Sequence, residues 1–181
     1  MVYLTAGLVL VGAVSLLNLV LLMGILRRMR QGEAAAAPRG PQSPPALVEA
    51  GSMPDAFATV TDEGEPVDRE TVAGGLVGFF TPTCSACHER MPDFLAYAAR
   101  NGFGRDRVFA VVVGKPDEVT AMRAELAPVA RIVQEPHGGA AMYKAFGVYG
   151  LPAYALLDHN GVVVASSSLL TDFPALVGGA R

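Results

Sequence analysis

Tryptophan is missing from this 181-residue chain, and cysteine and histidine occur only twice and three times. Two cysteines exclude a secreted scaffold held by several bridges. Cys84 and Cys87 stand three positions apart, so a bridge between them closes a tiny loop and adds little as a structural staple. Nor can two sulfurs alone make a four-sulfur zinc or iron–sulfur site. His88, His137 and His159 are scattered and add no ligand spacing beyond His88, so no metal or cofactor is expected. Basic charge is lacking too. Fourteen Lys and Arg against seventeen Asp and Glu leave a net charge of -3, with no basic face for DNA or RNA. Two cysteines used so locally point to chemistry.

Apolar residues are plentiful. They make up 51% of the chain against 17% charged, enough for a packed core and too many for general disorder. Val2 to Leu26 carries no charged side chain. As a helix it would measure roughly 37 Å, enough to cross a hydrocarbon core of about 30 Å. A cleaved signal peptide would need a basic start and a shorter apolar stretch, and a buried core helix would be amphipathic. Residues 2–26 are therefore read as an uncleaved transmembrane anchor. Residues 27–52 include Pro38, Pro41, Pro44 and Pro45 among Ala, Gly and Ser and are read as a flexible linker. Residues 53–181 are the size of one folded domain.

Within that domain the elements alternate. FATV and LVGFF (Leu76 to Phe80) predict strands, the second buried on both faces. A helix is expected over about Ser85 to Arg100. RVFAVVV (Arg107 to Val113) predicts a second buried strand, and Pro116 to Leu126 a helix with Pro near its first turn. A weak strand near Arg131 to Gln134 precedes a helix over about residues 139–146. AYALLD, the turn His159-Asn160-Gly161 and VVVAS predict an antiparallel hairpin. Such alternation favours an α/β fold with a mainly parallel sheet covered by helices.

The cysteines lie in LVGFFTPTCSACHERMPDFLAYAAR. A strand ends at Phe80, a turn with Pro82 follows, and Cys84 begins the next helix. Unpaired amides and the positive dipole end at a helix start favour a thiolate over a thiol. Cys84 is accordingly expected to be the attacking sulfur. Cys87, one turn on and more buried, would resolve the mixed disulfide. Pro92 is expected to kink or offset the helix.

The domain resembles the TlpA/ResA-like membrane-anchored thioredoxins, and especially the MauD-type accessory proteins of methylamine dehydrogenase maturation. The likeness covers about Gly51 to Val164. It runs from GSMPDAFATVTDEGEPV, which looks like the family's opening hairpin, through FFTPTCSACHERMP to YKAFGVYGLPAYALLDHNGVVV. The resemblance implies a thioredoxin-like fold with a central mixed sheet flanked by helices. It also implies a cis proline facing the cysteines, here Pro152 after Leu151, whose backbone would pair with an incoming peptide strand. Thr83 and Leu151 are the substrate-contacting positions on this reading. Two departures stand out. Thr83 occupies the place of the usual Trp, and Gly78 that of a buried acid found in many relatives. The proton from Cys87 must then go to water, His88 or a carboxylate such as Glu89, Glu125 or Glu135.

Other readings compete. Cys84-Ser85-Ala86-Cys87-His88 fits the C-x-x-C-H of c-type haem attachment, although small cytochromes are mainly helical and this motif follows a buried strand. His88 is otherwise a surface residue of the first turn, or a cation beside the Cys84 sulfur. A peroxidase site is weaker, because Thr81 fits the family pattern but Val77 stands where a proline belongs. A redox-inactive binding module is the third alternative. Arg27, Arg28 and Arg30 follow the anchor, which by the positive-inside rule puts the domain in the cytoplasm. The resemblance implies the opposite side, where substrate disulfides persist, and that is the expectation adopted. The expected partners are a protein disulfide substrate, in maturation of an extracytoplasmic protein or cytochrome, and a membrane thiol carrier that recharges the pair.

Overall fold

The computed structural model describes residues 47–138 and 140–175. The proposed anchor, residues 2–26, and most of the linker lie outside the described residues. Among the described residues no helix is long and apolar enough to cross a membrane.

Strands β1 (Ala58–Val60) and β2 (Pro66–Asp68) form a small antiparallel hairpin. The main sheet contains β3 (Leu76–Phe80), β4 (Val108–Val113), β5 (Arg131–Glu135), β6 (Ala153–Leu157) and β7 (Val163–Ser167). Its order is β5-β4-β3-β6-β7. β3, β4 and β5 run parallel, while β6 and β7 are antiparallel to their neighbours. The sheet is therefore mixed, as the resemblance implies, rather than mainly parallel throughout. The hairpin after β5 supplies the reversal. Its turn is closed by the Gly161 amide donating to Asp158 O at 2.9 Å. Asp158 Oδ1 accepts the Asn160 and Val162 amides, and Gly161 has the positive φ of 78° that such a turn asks of glycine.

Helices α1 (Ser85–Arg100), α2 (Thr120–Leu126) and α3 (Ala141–Ala145) complete the fold. Every residue of β3, β4 and β6 is buried, as expected of strands covered on both faces. Alternation splits them between two cores. Leu76 and Phe80 join Phe94, Met122, Leu126 and Tyr154 on the face of α1 and α2. Val77 and Phe79 join Phe109, Met142, Phe146 and Val67 on the opposite face. A fully buried side chain of this size contributes about 1.5–3 kcal/mol relative to exposure, so both faces hold β3 firmly in the centre.

Two details differ from the sequence reading. The packed domain starts before Met53, because Leu47 is buried and the Val48 amide bonds Phe146 O at 2.9 Å. The segment from Pro116 is a turn, and α2 begins only at Thr120. There the Lys115 carbonyl takes the Glu118 and Val119 amides, and the Thr120 hydroxyl donates to Pro116 O. Helix α1 carries Pro92 within its span.

Candidate active site

The site lies where the parallel strands β3 and β4 end, the usual location for function in sheets of this kind. β3 ends in the turn Thr81-Pro82-Thr83. Pro82 lies against the turn after β4, for a Cβ added at Gly114 would sit 3.5 Å from its ring. Within the turn the Thr81 and Thr83 hydroxyl oxygens are 3.2 Å apart, and the Cys84 amide donates to Thr81 O at 3.3 Å. Cys84 then caps α1 with extended backbone, φ -107° and ψ 114°. Its carbonyl accepts the amides of Cys87 and His88. The first amides of the helix have no intrahelical acceptor and point toward this end.

The two sulfurs occupy unlike surroundings. Both cysteines are free, Cys84 half-buried and Cys87 buried. Cys87 is 0% exposed and packs in the α1-face core with Met91 and Phe94. Burial pushes its thiol from the ordinary 9.0 up to about 12, with the neighbouring Cys84 adding to the rise and hydrogen bonding to the Thr81 backbone opposing it. Geometry thus separates an accessible sulfur from a shielded one, a single helical turn apart.

The second wall of the site comes from the loop before β6. The Leu151–Pro152 bond is cis, as the resemblance implies. The Cys84 thiol donates to the Leu151 carbonyl at 3.6 Å, so residues 67 apart in the chain meet at one point. Pro152 is buried, Leu151 half-buried and Thr83 exposed. Tyr149, three residues before Pro152, is 84% exposed.

The other expected participants fare differently. His88 is exposed, and its Nε2 lies 2.9 Å from Pro82 O, tying the first turn of α1 to the turn before it. Glu89 and Glu125 are exposed. Glu135 is buried but already engaged, its two carboxylate oxygens accepting the Met142 amide at 2.7 Å and the Tyr143 amide at 3.0 Å. It caps the start of α3, and burial pushes its carboxyl above the ordinary range against the lowering effect of those two amides. At Gly78 an added Cβ would lie 2.7 Å from both Phe80 Cε2 and Phe94 Cε2. Aromatic rings fill the space a side chain would need there. Tyr154, opposite Gly78 across β3 and β6, is fully buried among those rings.

Comparison with known proteins gives a consistent result. The Redoxin family profile matches residues 49–169. None of the curated protein sequences matches the chain. Among solved structures, a thio-disulfide isomerase from Thermus thermophilus is similar at 22% identity and a TM-score of 0.53, over 66% of this chain and 85% of that one. The thioredoxin domain of a thiol-disulfide oxidoreductase from Bacteroides vulgatus is similar at 19% identity and a TM-score of 0.50, over 66% and 88%. These likenesses establish the fold.

Proposed function

The chain belongs to the Redoxin family as a thioredoxin-like oxidoreductase, and from that premise we propose that Cys84 and Cys87 are its working dithiol. The observation that carries this reading is the pairing of a half-exposed Cys84 at the α1 cap with a fully buried Cys87 one turn on. In the reductive direction the Cys84 thiolate attacks one sulfur of a substrate disulfide. A Cys84–substrate bond forms, the substrate S–S bond breaks, and one substrate sulfur leaves as a thiolate that takes up a proton. Cys87 then attacks Cys84 Sγ, the intramolecular disulfide forms and the second substrate thiol departs. Two electrons pass from the pair to the substrate, and oxidation runs the same steps backwards.

Pro152 and Leu151 border the path of the incoming chain. With the Leu151 carbonyl beside Cys84, an extended peptide lying along this loop would bring its disulfide to the accessible sulfur, with Thr83 on the opposite rim. Protein disulfides are the substrate class. The uncharged run Val2 to Leu26 and the TlpA/ResA- and MauD-like motifs support a wider reading. On it, the domain is tethered outside the cytoplasmic membrane, recharged by a membrane thiol carrier, and used in reduction or isomerisation during maturation of a cysteine-containing protein or cytochrome.

Haem attachment through Cys84-Ser85-Ala86-Cys87-His88 fits less well, because a macrocycle bonded to both sulfurs must reach a Cys87 that is 0% exposed. Trapping tests the reading. Cys87→Ala should accumulate a mixed disulfide with client protein through Cys84, and Cys84→Ser should not. Unchanged, non-covalent client binding in both variants would point to a binding module instead.

A further inference from the structure

Three arginines from three separate elements converge on one exposed turn. The turn joins β1 to β2, and residues 62–66 are all exposed. Glu63 meets Arg105 of the 3-10 turn Arg105–Arg107 at 2.6 Å. Asp62 meets Arg123 of α2 at 2.5 Å, and Glu65 meets Arg131 of β5 at 2.8 Å. A backbone bond also ties the turn to the sheet, the Asp62 amide donating to Ile132 O at 2.9 Å. Apolar packing adds little here. Asp62, Glu63, Arg105 and Arg123 line a cavity of about 430 Å³ together with Ala127 and Ile132. The turn borders open space, and charge is what holds it down.

The basic partners are fixed by their own surroundings. Arg105 Nε donates to Ala127 O at 2.9 Å, Arg123 donates to Gln134 Oε1 at 3.4 Å, and Arg131 lies over the Phe109 ring at 5.1 Å. The acids sit on a short turn between buried Thr61 and buried Val67, the half that can move. What the turn covers is the outer strand of the main sheet, since β5 stands at the end of the order β5-β4-β3-β6-β7. An uncovered sheet edge offers unpaired backbone groups to any other strand. We propose that residues 61–65 form an electrostatic strap over the β5 edge. Closed at low ionic strength, the strap covers Ile132 O; salt releases it, uncovering that edge and opening the cavity. One exposed ion pair contributes little, but three act together on a turn of five residues. The screening length shrinks from about 10 Å at 0.1 M salt to about 3 Å at 1 M, so all three weaken at once. The strap works without Cys84 or Cys87 and stands whether or not they exchange disulfides.

Residue-resolved amide exchange of the full-length protein, at about 0.05 M and about 1 M sodium chloride, reads the strap. The Asp62 amide reports its bond to Ile132 O. Its exchange should rise at least about threefold in high salt, with the buried Val111 amide of β4 changed by less than about twofold. The triple variant Asp62→Asn, Glu63→Gln, Glu65→Gln removes the three acids. It should exchange fast at Asp62 at both salt concentrations while Val111 stays protected. Wild-type Asp62 exchange that is the same at both concentrations would overturn the strap. So would a triple variant that keeps wild-type protection at low salt. If the triple variant does not fold, the wild-type salt series decides alone.

Discussion

The Cys84 sulfur lies 3.6 Å from the Leu151 carbonyl oxygen, 67 residues further along the chain. The contact joins the start of α1 to the loop that enters β6. It leaves Cys87 behind Cys84, in the core. The difference in accessibility follows from that arrangement, and the proposed order of attack rests on it.

Alkylation should therefore be selective. With iodoacetamide at pH 8 the folded, reduced protein should label at Cys84, with Cys87 reacting ~100-fold more slowly or less, because it is shielded and mostly protonated. Peptide mass mapping after short exposure reads the order. Equal labelling of both sulfurs in folded protein would contradict the buried placement of Cys87.

Alkali should weaken the reduced form more than the oxidised one. Below about pH 9 the Cys87 thiol is protonated in folded and unfolded chains alike. Between the ordinary 9.0 and about 12 the unfolded chain ionises and the folded chain does not. Stability present below pH 9 is then lost as pH rises, at up to ~1.4 kcal/mol per pH unit. A disulfide has no such proton. Denaturant titrations of both forms at pH 8 and pH 10.5 should show the reduced form losing more.

Gly78→Ala should destabilise the domain by ~1–3 kcal/mol. The new methyl would meet the Phe80 and Phe94 rings at 2.7 Å, and both rings are fixed by Tyr154 and by each other. A denaturant midpoint equal to that of wild type would show that the rings can move aside.

Glu135→Ala should cost about 2–3 kcal/mol, since it leaves the Met142 and Tyr143 amides without their acceptor. Glu135→Gln keeps an acceptor and should lose less. Disulfide exchange by the folded fraction should be unchanged in both, in keeping with a structural carboxylate.

Much of this was legible in the sequence. LVGFF and the helix from Ser85 to Arg100 fall where their patterns put them, because a short wholly apolar run and an amphipathic stretch behind CxxC each admit one packing. The hairpin beyond Pro152 announces itself through Asn160-Gly161. Pro116 misled, because a proline at a helix start and one opening a turn look alike until the Lys115 carbonyl chooses its partners. Of the three carboxylates, only the fold shows that Glu135 is the buried one and that it is spent on α3. The burial of Tyr154 opposite Gly78 was not readable either. Pairing with Gly78 depends on strand register.

Reversible exchange by Cys84 and Cys87 is tested most directly by equilibrating the full-length protein with glutathione buffers of graded potential and counting alkylated thiols by mass. One two-electron transition involving both cysteines is expected, with a midpoint within or near the range of about -270 to -120 mV spanned by such dithiols. A folded protein whose two thiols stay unchanged across every buffer would contradict the assignment of Cys84 and Cys87 as a working redox pair.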